Sequence, residues 1–206
     1  MLVFVLFTSL FASGQELKPI ALPKPQLDIG RPFMQVVKDR KSVREITTEK
    51  VSLQHLANLL WAGFGINRAT NAHRTAPSAM NSQEIDIYAA SADGVYVYDA
   101  AENQLKPVLA QDIRLKTGGG AFSNAPLSLV FVADYSRLTK AKPEDKLFYA
   151  AIDTGFISEN IYLYCASEGL ASVVHMAGDG AALAKTMRLR PDQKVVIAQA
   201  VGWPKK

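Results

Sequence analysis

The chain has 206 residues, 49% of them hydrophobic and 20% charged, the composition of a globular domain long enough to bury a sizeable core. The formal charge of +4 is mild, and Lys and Arg are scattered apart from Lys38 to Arg44 and the terminal Lys205-Lys206, which argues against a nucleic-acid stripe and for small anions. A single cysteine, Cys165, excludes an intrachain disulfide and, without partners at ligand spacing, a zinc site.

Residues 1–14 (MLVFVLFTSLFASG) form an uncharged apolar run ending in small residues, with Ala12 and Gly14 in the small-x-small pattern of a cleavage site. The run is short for a bilayer span, which takes about 20 apolar residues. It reads as a signal peptide for export, to the periplasm, with no stable membrane anchor. It lacks a basic n-region, and a cytoplasmic chain with a short buried helix is the other reading. Residues 15–32 carry Pro19, Pro23, Pro25 and Pro32 and read as an extended arm. Residues 33–206 are expected to form one domain.

Within that domain, Phe33, Val36 and Val37 have helical spacing. Ser52 reads as the N-cap of a helix whose apolar face is Leu53, Leu56, Leu59, Leu60 and Phe64, with Gly63 and Gly65 ending it. Residues 85–89 and 95–98 alternate about an Asp93-Gly94 turn and predict a hairpin. Gly118 to Gly120 have no phosphate-loop spacing and read as a flexible loop. Residues 127–133 and 194–201 are apolar strands apt for a sheet centre. Between them residues 146–168 read as one long helix closed by Gly169. Locally paired strands flanked by helices predict an α+β fold.

No nucleophile elbow is present, and His55, His73 and His175 are too far apart in sequence to make a metal motif by themselves. Three segments carry chemistry instead. In Asp39 to Arg44, Arg40 and Arg44 are four apart and could point the same way at a helix end, with Lys41 and the Ser42 hydroxyl between them, a set that suits a phosphate; the bland alternative is a solvated helix end. The stretch Arg74 to Gln83 combines small residues, which let backbone approach a planar ligand, with the amides of Asn81 and Gln83 for polar ring edges. Taken alone, it could equally be a turn. The third, Glu168 to Gly178, runs from a helix end into a short strand whose exposed amides could meet a flavin edge. His175 there could equally be a structural histidine.

The segments RKSVR (residues 40–44), LLWAGFGIN (59–67), RTAPSAMNSQ (74–83), IDTGFISENIYLYCASEGL (152–170) and VGWP (201–204) occur in the order found in nitroreductase-family flavoproteins, and the chain resembles that family from about Phe33 to Lys205. The resemblance implies a nitroreductase-like α+β fold with a mainly antiparallel central sheet flanked by helices. It also implies an intertwined homodimer with FMN at the interface. Arg40, Ser42 and Arg44 would hold FMN from one subunit, with Lys41 beside them. Pro77, Ser78, Ala79 and Asn81 would reach it from the other, with Met80 and Gln83 in the same stretch. Val174, His175 and Met176 match the stretch along the isoalloxazine, where many relatives carry a proline and an acidic residue. Lys205 would replace the basic residue that a longer C-terminus supplies in relatives.

The activity implied is a ping-pong reduction of a nitroaromatic, quinone or similar flat acceptor. NAD(P)H or another donor would supply the electrons, and no protein acid or base is obligatory. The rivals are an FMN-dependent dehydrogenase or oxidase, like the relatives that oxidise azoline rings, and a non-enzymatic flavin-binding protein.

Overall fold

The computed structural model describes residues 16–206 except Gly119 and Ser123. The expected leader, residues 1–14, lies outside the described residues. In chain order the elements are β1 (Ile20–Ala21), α1 (Phe33–Asp39), α2 (Leu53–Phe64), β2 (Ile66–Arg68), β3 (His73–Arg74), β4 (Ile85–Ser91) and β5 (Gly94–Asp99). They continue with β6 (Gln104–Leu109), β7 (Leu127–Asp134), α3 (Lys146–Glu168), β8 (Ala171–His175), α4 (Gly180–Thr186) and β9 (Gln193–Gly202). Seven strands form one sheet in the order β1-β6-β5-β4-β7-β9-β8, and all of its pairings are antiparallel. The sheet is therefore the antiparallel one expected, with helices on both faces.

The apolar runs explain the order. All of β7, LSLVFVAD, is buried, because it lies between β4 and β9 and is covered on both faces. On one face Leu129 and Phe131 pack with Leu59 and Leu60 of α2 and Ile157 and Ile161 of α3. On the other, Val130 and Val132 pack with Ile113 and with Leu183 of α4. Each such side chain contributes about 1.5–3 kcal/mol on burial, so α3 is fixed against the sheet along most of its length.

Three local expectations change in detail. Ser52 does cap α2, accepting the His55 N–H at 3.2 Å, and Gly65 ends the helix. Gly63, however, lies inside it, where an added Cβ would stand 2.9 Å from Ile161 Cγ1, so its role is close packing of α2 on α3. In the hairpin the register pairs Ser91 with Gly94, making Ala92-Asp93 the two-residue loop. Gly94 has φ of +138°, and a Cβ there would meet Leu109 O at 2.6 Å, so it allows β6 to approach. Gly118, read as part of a flexible loop, is packed against His175 and Met176, leaving no room for a Cβ.

The strand β6 was not legible because Pro107 interrupts its pattern. Pro107 sits in the strand next to the β1 edge, where a two-residue β1 demands few ladder bonds. The arm from residue 16 is tied down rather than free: Ile20 pairs with Leu105, the Gln26 N–H donates to Asn58 Oδ1, and the Arg31 N–H donates to Ser167 Oγ. Among the described residues no helix is long and apolar enough to cross a membrane.

Candidate functional site

The basic cluster is built differently from a helix end. α1 stops at Asp39, Arg40 is its C-cap, and the chain then runs extended alongside β8, with the Val43 N–H donating to Ser172 O at 2.9 Å. In extended backbone alternate side chains share a side. Val43 packs inward beside Ile46 and Val173, which leaves Arg40, Ser42 and Arg44 on the other side. The cluster is thus a strand-like segment rather than a helix end. Arg40 Nε stands 3.9 Å from Glu159 of α3, at the limit of an ion pair. Arg44 and Lys41 are exposed and make no ion pair among the described residues.

Tyr162, from α3, joins this segment to the end of β8. Its hydroxyl accepts the Val174 N–H at 2.7 Å and bonds Ser42 Oγ at 3.0 Å, while the Arg40 guanidinium lies over its ring, 5.3 Å from the centroid. The last residues run beside the next part of the same segment. Ile46 bridges Pro204, the Lys205 N–H donates to Glu45 O at 2.9 Å, and Lys205 Nζ stands 3.6 Å from Glu45. Tyr162 therefore brings together Arg40, Ser42 and Val174 in one protomer, and Lys205 is held at Glu45, the residue after Arg44.

His175 ends β8 with its ring stacked on Phe122, centroids 4.8 Å apart. Its Nδ1 lies 3.0 Å from Met176 O, and since a carbonyl only accepts, Nδ1 carries the proton. Burial holds the ring's pKa below the usual histidine value, so the ring is neutral and Nε2 is an acceptor. Nε2 is buried without a hydrogen-bond partner among the described residues. A buried acceptor left open, on the Phe122 and Val173 side of β8, calls for a further group to satisfy it.

The Pro77 to Gln83 stretch stands apart from this group. Met80, Asn81 and Gln83 have φ of 53°, 53° and 48°, left-handed conformations costing about 1–2 kcal/mol for most side chains. The surroundings hold them there: the Ala79 N–H donates to Asp153 Oδ2 at 2.7 Å, the Gln83 N–H to Ser78 Oγ at 2.9 Å, and Ser82 Oγ to Ala79 O at 2.8 Å. Strain fixed this way concentrates at ligand-binding turns. The Gln83 amide is spent within the turn, accepting from Arg74 Nε and donating to Ala72 O and Asn81 Oδ1, so it holds the turn. Pro77, Met80 and Asn81 are exposed, while Ser78 and Ala79 are half-buried. Asp153 and Tyr162 are nine residues apart on α3, about 13 Å along the helix and on opposite margins of its buried face. Within a protomer, the turn and the cationic cluster thus flank α3 from two sides.

A cavity of about 390 Å³ lies elsewhere, between the start of α2 and the β4-β5 end of the sheet, walled by Val51, Leu56, Tyr96 and Leu127. Its cations are already engaged, Lys50 with Asp93 and Arg114 with Asp112. None of the sequence-predicted residues lines it. Among the described residues no group of three or more His, Cys, Asp or Glu is placed to hold a metal. Cys165 is buried, and burial pushes its thiol up to about 12, far from reactivity.

Fold and site define an α+β domain whose candidate ligand site is an exposed surface of cationic and backbone groups on one edge of α3. The chain belongs to the nitroreductase family, whose model matches residues 37–203. A provisionally named nitroreductase of Ralstonia eutropha is 38% identical, with 91% of this chain and 90% of that one covered and a TM-score of 0.86. A protein of Methanocaldococcus jannaschii, also provisionally named a nitroreductase, is 27% identical over 145 residues, 65% of this chain and 73% of that protein. A chain of the E. coli microcin synthetase complex shares the fold, at a TM-score of 0.73 and 17% identity, with 100% of this chain and 85% of that one covered. Membership places the chain in a family of oxidoreductases.

Proposed function

We propose that the chain is an FMN-dependent oxidoreductase that works as a homodimer and passes electrons to nitroaromatics, quinones or similar flat acceptors. The observation that carries this reading is the meeting of Arg40, Ser42 and Val174 at Tyr162, with the exposed cations Lys41 and Arg44 in the same segment. That donor set fits a phosphorylated, polar-edged ring system.

In this reading Arg40 and Arg44 bind the FMN phosphate and polar edge, aided by Lys41 and Lys205. Tyr162 orients Ser42 and the end of β8. Val174, His175 and Met176 line the ring. When bound, FMN supplies the hydride or electron exchange, and no protein acid or base is obligatory at the cluster. Pro77, Ser78, Ala79, Met80 and Asn81 reach the partner's cofactor. Support for the dimer comes from α3, where Phe148, Ile152 and Phe156 stand at every fourth position, 64%, 39% and 46% exposed, opposite the face buried on the sheet. A helix apolar on both faces is made to be covered twice. The leader is assigned to export, which removes the chain from the cytosolic nicotinamide pool.

The test is spectroscopic. The purified chain, or the chain after incubation with FMN, should show flavin absorbance, and denaturation should release FMN. A colourless chain that binds no added FMN rejects the reading. A second direction, oxidation of a bound substrate by the same cofactor, is favoured by His175 and Met176, which depart from the proline and acidic residue that the family resemblance leads one to expect there.

A further inference from the structure

Glu84 directly precedes β4 and closes the strained turn. It is 0% exposed, and neither carboxyl oxygen has a hydrogen-bond donor among the described residues. Its neighbour is Asp153, 2% exposed on the buried side of α3, whose carboxyl lies within hydrogen-bonding reach of the Glu84 carboxyl. Two carboxylates in contact away from water cannot both be ionised. Asp153 already accepts the Ala79 N–H at 2.7 Å, a bond favoured by an ionised oxygen. Glu84 has no such donor, so the proton resides on Glu84, whose O–H then fills the contact with Asp153.

The nearest cation does not remove this requirement. The terminal nitrogens of Arg137 donate to the carbonyl oxygens of Gln83 and Glu84, at 2.9 and 3.0 Å, and its ion pairs are with Asp86 and Asp134. The Glu84 carboxyl is thus faced by Asp153 from α3 and by Arg137 from the segment after β7, the latter turned to backbone.

We propose that Glu84 and Asp153 share one proton behind the Ser78–Gln83 turn and act as positioning residues for it. While the proton is held, Asp153 anchors the Ala79 amide and with it Met80 and Asn81. Once it is lost, two buried charges oppose each other and the turn is released. The inference rests on the reading of that turn as part of the flavin site. Burial raises the Glu84 carboxyl from its ordinary value of 4.5 to about 7, which puts the release in the neutral range. A carboxyl raised on folding stabilises fully below its unfolded value, and that stability is lost as pH rises through about 7.

Thermal unfolding of the full-length apoprotein from about pH 4.5 to above about pH 7 tests the shared proton without flavin. The Tm of the wild type should fall as pH rises from about 4.5 to about 7 and level off above, and Glu84→Gln, whose amide can donate to Asp153 at every pH, should lack that fall. Parallel profiles overturn the proposal. Should Glu84→Gln fail to fold, the carboxyl carbon of Glu84 followed by NMR in the wild type decides: titration near neutrality supports the shared proton, and titration in the ordinary carboxylate range overturns it. The positioning role is read from FMN titrations. Apparent affinity should weaken about tenfold between about pH 6 and about pH 8 in the wild type and stay flat in Glu84→Gln. Equal pH dependence in both proteins overturns that role. A chain that binds no FMN at any pH rejects the flavin reading itself, and the Tm profiles then decide the shared proton alone.

Discussion

Tyr162 is the residue on which the candidate site turns, and nothing in its local sequence singles it out among the other tyrosines. Its hydroxyl is the joint between Ser42 and the Val174 N–H. Tyr162→Phe leaves that N–H half-buried and unpaired, a loss of about 1–3 kcal/mol. Urea denaturation should register this, and FMN should bind more weakly because Ser42 and β8 lose their common support. Unchanged stability would mean that water replaces the hydroxyl and that Tyr162 organises nothing. The residues that sequence alone singles out are those whose chemistry is declared by type, such as the cationic Arg40 and Arg44, proposed to hold the ligand. Tyr162 reaches Ser42, and Glu84 reaches Asp153, across distant parts of the chain, and no local pattern encodes such contacts. Asp153 was nearer to legible, since it falls on the same helical face as Ala150, Ile157 and Ile161, where an acid needs a reason.

Among the elements, α3 was readable in full. Its bounds, 146–168, and its left-handed Gly169 cap, φ +74°, are those expected from the pattern. What periodicity could not convey is that its two faces serve different ends, one packing on the sheet and the other left exposed with Phe148, Ile152 and Phe156. If that second face is the subunit interface, Phe156→Lys should yield a monomer with nearly unchanged folding stability, because Phe156 is 46% exposed within the protomer. The same variant should lose flavin on gel filtration, since the Pro77 to Asn81 turn would no longer reach a neighbouring site. Sedimentation velocity gives the answer, and a dimer that persists in this variant places the interface elsewhere. By contrast, β6 and α4 went unread because each is short and, in β6, broken by Pro107; they are strand and helix only by virtue of what they pack against.

For the whole molecule, the open question of chemistry is the direction of electron flow, and it is decided by who can reach the cofactor. Two features of the proposed reading weigh against a nicotinamide donor: the apolar run at residues 1–14, proposed to direct export, and the His175-Met176 pair, proposed to line the ring. Burial keeps His175 neutral, so it offers no positive charge to a dinucleotide phosphate, whereas the exposed Met176, at 74%, offers an apolar surface to a flat organic molecule. If the reductase reading holds, anaerobic NADH or NADPH should bleach the flavin absorbance on the timescale of turnover, and a nitroaromatic or quinone should restore it. Failure with both nicotinamides, while dithionite still bleaches reversibly, rejects them as donors. A screen of oxidisable substrates, followed by the same bleaching, then separates a dehydrogenase, whose flavin some substrate reduces, from a binding protein, whose flavin none does.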